Sequence, residues 1–230
     1  MIGAVTILGA SFFSTRHVSA ADALRGTERA FTAPTFPMVV GRNRRFTSLV
    51  TQMTLEVCGA LHADNPICVF ATTHGEIATA EKLIVDFRDH QLVSSAAFAL
   101  SVHNSPSGVY SVAAQSMQPT TTITGNNAIA AGWLEAVLTA CAEPDRTVML
   151  AIADEPVPAV FQGPSEVTGV AAAFLLRAGG TTRLALTPSR KGVGTVEALA
   201  FTADAIARGV SLVQELGRIS GAFGLQLELA

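Results

Sequence analysis

Hydrophobic positions in this chain follow two patterns. The first is the short continuous run. Val5 to Phe13 is apolar and closed by Ser14, and Ile67 to Ala71 follows Pro66. Thr120–Thr124, Thr147–Ala153, Thr168–Arg177 and Arg183–Thr187 read the same way. Runs of this length, apolar on both faces, predict strands buried in a covered sheet. The second pattern is helical spacing. From Phe46 to His62 the apolar positions are Leu49, Val50, Met53, Val57 and Leu61. Ala20–Arg25 predicts a short helix. Gly75–Arg88 predicts a longer one that buries Ile77, Leu83, Ile84 and Phe87. Ser94 to Gln118 is broken by Pro106 and Gly108 and predicts two short helices around a turn. Ala128–Cys141 carries a broad apolar face of Ala130, Trp133, Leu134, Val137 and Leu138. Thr195–Arg218 keeps the period through Val196, Leu199, Ala203, Ile206, Val210, Val213 and Leu216, which predicts one long terminal helix.

Between these elements, Ala30–Pro37 and Asp154–Ser165 are proline-rich and read as irregular. Gly179-Gly180 between two strand runs is a hairpin signal. Strands alternating with helices imply an α/β layer fold. The expected sheet is mixed and mostly five-stranded, covered by helices, with an extra C-terminal helix. One domain spans 1–230, its core being 1–187 and its added helix 195–218.

Composition narrows the function. Hydrophobic residues make up 49% of 230 positions and charged residues 14%, which leaves few surface charges and suggests a covered face. A net charge of −3 and single Tyr and Trp residues argue against nucleic-acid binding. No apolar run reaches the length of a membrane span, and no histidines have metal-ligand spacing. Neither a metal nor a cofactor is expected. Cys58, Cys68 and Cys141 form no CxxC pair, lie in apolar contexts and read as buried free thiols, which fits a cytoplasmic setting. The N-terminal run reads as a first strand and not as a signal peptide.

Thr120 to Glu135 is a strand, a glycine turn and a helix. Some condensing enzymes use this shape to hold a nucleophilic cysteine at a helix N-terminus, where free N–H groups stabilise the thiolate. Here the turn carries Asn126 and Asn127 instead.

The order of several segments carries a resemblance: Gly9–Ser11, GRNRRFTSLVTQM from Gly41, FATTHGEIATAEKLI from Phe70, FALSVHNSPSGVYSVAA from Phe98, and PTTTITGNNAIAAGWLEAVL from Pro119. Val148–Pro158 and Gly169–Arg177 follow in sequence. Together they resemble the N-terminal half of a β-ketoacyl synthase, a thiolase-like half-fold. The nearest resemblance is to short chain-length factors of aryl polyene and type II polyketide systems. The cysteine position falls on Asn126 or Asn127. The second half of a synthase supplies two histidines, a lysine and a Gly-rich loop. The segment after residue 187 does not match it, and His17, His62, His74, His90 and His103 all precede it.

The resemblance implies a non-catalytic subunit that pairs with an active ketosynthase as a heterodimer and helps set acyl chain length. Pairing would run through Thr120, Thr121, Thr122, Ile123 and Thr124, a β-branched strand. Candidate residues walling the acyl tunnel are Phe98, Leu100, Val102, His103 and Tyr110. Arg42, Arg44 and Arg45 fall where synthases dock the acyl carrier protein, a second implied partner. Two alternatives stand beside this. One is a small acyltransferase or thioesterase using a cysteine, Ser101 or Ser105 near a histidine. The other is a homodimeric acyl-binding scaffold.

Overall fold

The computed structural model describes residues 2–39, 47–162, 168–188, 195–209, 212–220 and 223–229. Arg42, Arg44 and Arg45 lie outside the described residues. The elements in chain order are β1 (Gly3–Ser14), α1 (Ala20–Arg25), α2 (Leu49–Ala60), β2 (Ile67–Thr72), α3 (Ile77–His90), α4 (Ser95–Ala99), α5 (Ser105–Ala113) and β3 (Thr120–Thr124). They continue with α6 (Ala128–Ala142), β4 (Val148–Asp154), α7 (Ala159–Gln162), β5 (Val170–Ala178), β6 (Thr182–Pro188), α8 (Thr195–Arg208), β7 (Leu212–Ser220) and β8 (Phe223–Leu229).

The strands form one eight-stranded sheet in the order β3-β2-β4-β5-β1-β6-β8-β7. β3, β2 and β4 are parallel, and every later pairing is antiparallel. The six strand runs read from the sequence are β3, β2, β4, β5, β1 and β6, and β8 and β7 extend the sheet beyond the mostly five-stranded one expected, to eight. Alternate residues on the central strands feed two cores. Val69, Ala71, Leu150, Ile152, Ala172 and Phe174 pack with α6 and α8, while Phe70, Met149, Ala151, Ala171 and Ala173 pack with α2 and α5. Trp133 of α6 stacks on Phe174 with ring centroids 4.8 Å apart, and both are fully buried.

Three local expectations are corrected. The terminal helix does not reach Arg218. It stops at Arg208, where Gly209 adopts φ +61° and returns its N–H to the Ile206 carbonyl oxygen. Residues 212–220 are instead strand β7, paired with β8. The Gly179-Gly180 turn is not a hairpin, because β1 lies between β5 and β6. Val5 pairs with Ala178 on one side and Thr182 on the other, so the glycines carry the chain across β1. Gly180 has φ +106°, and a Cβ there would come 2.2 Å from Thr6 Oγ1. Finally, α3 buries only Leu83 among its side chains, while Ile84 and Phe87 face outward.

Candidate functional site

β3 ends at Thr124, the chain turns at Gly125 with φ +112°, and α6 begins at Ala128. The Ala128 N–H donates to the Gly125 carbonyl oxygen at 2.9 Å and tightens the turn. Asn126 and Asn127 are both exposed on it. Asn127 is the N-cap of α6 yet makes no side-chain bond to the helix. The elbow therefore presents two amides at the positive end of a fifteen-residue helix. An amide neither attacks a thioester nor takes up a proton near neutral pH.

The thiols lie elsewhere. Cys58 and Cys68 are buried, and desolvation pushes the Cys58 thiol well up and the Cys68 thiol up to about 12. Both stay protonated and unreactive at neutral pH. Cys141 is exposed, against the expectation of a buried thiol. It sits at the C-terminal end of α6, roughly 20 Å along the helix from the elbow.

A serine and a histidine do meet, at positions the sequence did not single out. Ser14 Oγ lies 2.8 Å from His17 Nδ1, but both residues are buried, and the hydroxyl also accepts the Arg16 N–H. The serines named from sequence are placed differently. Ser101 Oγ donates to the Phe98 carbonyl oxygen, and Ser105 is buried at the start of α5. His103 is exposed, with its ring against Gly75.

Three carboxylates cluster at the ends of β2 and β4. Asp154 accepts from Thr72 Oγ1 at 2.9 Å and from the Thr73 N–H and Oγ1 at 2.7 Å each. Glu155 accepts the Val50 N–H at 3.3 Å and the Ala78 N–H at 3.1 Å, so it ties the starts of α2 and α3 together. Glu76 accepts from Ser48 and Thr51 at 2.7 Å and from Thr79 at 2.9 Å. Burial pushes the Glu155 carboxyl up to about 7, against the two N–H bonds and with the help of nearby Glu76 and Asp154. These residues brace the loops around the elbow. The signal in the sequence was the Asp154-Glu155 pair closing an apolar strand. Among the described residues no cluster of His, Cys, Asp and Glu could hold a metal.

A cleft of about 700 Å³ opens beside α5, lined by Met38, Val39, Leu100, Val102, Val109 and Val112 among others. The volume falls within the usual range of small-molecule sites. The five wall candidates divide around it. Leu100 and Val102 line it, Phe98 lies exposed on α4, and His103 covers Gly75. Tyr110 faces the opposite way into the core, its ring centroid 5.7 Å from that of Phe70. Next to this segment β3 closes the sheet, hydrogen-bonded along one side to β2.

A sheet covered by helices on both faces, with a strand, a glycine turn and a buried helix forming an elbow, is the arrangement of a thiolase-like half-fold. The sequence profile of the β-ketoacyl synthase N-terminal domain matches residues 18–217, and the chain belongs to that family. Among solved structures it is similar to a chain from the complex of the ketosynthase ApeO with its chain length factor ApeC from Xenorhabdus doucetiae. That match has a TM-score of 0.76 and 17% identity over 97% of this chain and 98% of the other. It is also similar to a chain of the ishigamide ketosynthase/chain length factor, with a TM-score of 0.62 and 13% identity over 90% of this chain and 74% of that one. A comparison with curated proteins finds no match. Among the described residues no helix is long and apolar enough to cross a membrane.

Proposed function

We propose that this chain is a non-catalytic ketosynthase-like subunit that pairs with an active β-ketoacyl synthase and sets the length of the acyl chain that enzyme builds. The observation that carries this reading is the elbow, complete in its strand, glycine turn and helix but furnished with Asn126 and Asn127. Claisen condensation passes through a thioester on the enzyme, and these amides form none. The open edge of β3 and the apolar cleft beside α5 support the rest of the reading. So does likeness in fold to a chain from a complex of a ketosynthase with its chain length factor.

Leu100 and Val102, which line the cleft, would limit an acyl chain entering it. A close-packed wall stops growth because each further methylene would have to overlap it. Arg42, Arg44 and Arg45 remain the proposed docking positions for an acidic acyl carrier protein.

The test is reconstitution with the intact ketosynthase of the source organism, an acyl carrier protein and malonyl units. The chain alone should give no condensation product, the pair should give products of defined length, and gel filtration should show a heterodimer. Condensation by the purified chain alone would overturn the reading. A stable homodimer that ignores the synthase would favour the scaffold alternative.

A further inference from the structure

Helix α3 is fourteen residues long and buries one side chain, Leu83. Short helices in proteins owe most of their stability to packing, so such a helix lacks much of its usual support. Its outward side mixes charges with large apolar side chains. Ile84, Val85 and Phe87 are exposed, followed by Leu92 and Val93 in the next turn and Phe98 on α4. Nine of the sixteen exposed large hydrophobics among the described residues fall between positions 84 and 117, the segment leading directly into β3. Met117, three residues before the strand, is 96% exposed.

We propose that this α3–α4 face is the side-chain part of the surface that binds the ketosynthase, with the edge of β3 as its backbone part. The inference rests on the pairing reading above. Area favours one continuous surface. A five-residue strand edge is too small for a stable specific interface, which buries about 800 Å² on each partner. The exposed apolar side chains from Ile84 to Phe98 add several hundred Å² more, Phe87 and Phe98 each carrying up to about 150–250 Å² when fully exposed. In sequence the face leads toward β3: α3 packs on α4, α5 packs on β3, and Thr122 of β3 donates to Ser107 of α5.

The test is affinity for the intact ketosynthase, measured with Phe87→Asp and Leu92→Asp. Both side chains are exposed, so both variants should melt with the wild type. Val18→Asp, at an exposed apolar position outside this segment, is the control. The expected result is at least a tenfold rise in Kd for the first two and none for the control. Backbone amides of residues 77–93 should also gain hydrogen-exchange protection when the synthase is added. Folded variants that keep wild-type affinity, with no gain in protection, would overturn the proposal while leaving pairing through β3 intact. So would a wild-type homodimer that the two aspartates convert to monomer. If the wild-type chain forms no complex with the synthase, the pairing reading itself fails.

Discussion

The backbone N–H of Gly125 donates to the carbonyl oxygen of Thr72 at 3.2 Å, so the ladder between β3 and β2 runs on into the elbow. At the other end, the Cys68 N–H donates to the Pro119 carbonyl oxygen at 3.1 Å. In a parallel ladder the groups facing one neighbour alternate along the strand. Residues 119, 121, 123 and 125 therefore face β2, and the N–H and C=O groups of Thr120, Thr122 and Thr124 face the open edge.

That alternation selects the test of strand pairing. Thr122→Pro removes an N–H on the open edge and leaves the β2 ladder whole. It should abolish co-purification of the ketosynthase with little change in Tm. Ile123→Pro cuts the β2 ladder instead, so it should lower Tm as well as release the partner. A folded Thr122→Pro chain that still co-purifies would place the interface elsewhere.

The purified chain incubated with acyl and malonyl carrier-protein substrates should gain no covalent acyl group. Intact mass and peptide mapping check this. An adduct on Cys141, the one exposed thiol among the described residues, would reveal a nucleophile away from the elbow and overturn the non-catalytic reading. An adduct on Cys58 or Cys68 would contradict their burial.

Leu100→Ala should lengthen the product of the complex and leave turnover largely unchanged, since it widens the cleft and removes no reacting group. Phe98→Ala is a useful companion. At 63% exposed, Phe98 should cost far less than the about 3–5 kcal/mol of a buried Phe→Ala. An unchanged product length in both folded, paired variants would leave the subunit a stabiliser and not a ruler.

Glu155 should make stability pH-dependent. Its folded carboxyl is raised from 4.5 to about 7, so the folded state holds the proton more tightly. Its contribution is therefore full below about 4.5 and is lost as pH rises to about 7, on the order of 3 kcal/mol in all. Tm should fall between pH 5 and pH 8, and the fall should shrink in Glu155→Gln. A Tm that rises over this interval would refute the assignment.

Gly180→Ala should destabilise the fold by about 2–4 kcal/mol, combining a left-handed backbone with overlap on a neighbour. Denaturant melting measures it. Gly26, also left-handed but with open space around it, should cost less when replaced.

Elements fixed by local chemistry could be read in the sequence. α1 runs from Ala20 to Arg25 as expected, capped by the Ser19 side chain and ended by Gly26 at φ +66°. β3 keeps its expected bounds between Pro119 and Gly125. What depends on distant chain could not be read. Val213 and Leu216 continue a helical spacing, yet their segment pairs with β8, whose alternating Phe223, Leu225, Leu227 and Leu229 was the available sign of a strand. The hairpin reading of Gly179-Gly180 failed because a strand from the other end of the chain occupies the gap. The apolar period of α3 was visible, but period alone does not say whether the face meets this chain's core or another protein. At the site, the amides of the elbow were legible. The Ser14–His17 contact and the carboxylate braces needed the fold to bring them together.

The crossing of β1 by Gly179-Gly180 also constrains the order in which the protein is made. β1 leaves the ribosome well before its neighbours on both sides, residues 170–178 and 182–184, which emerge more than 150 residues later. Until then a twelve-residue apolar strand has neither edge satisfied. The sheet can close only once β5 and β6 have both emerged and trap β1 between them almost together. A growing chain stalled before residue 170 should thus be a client for chaperones, however complete its helices.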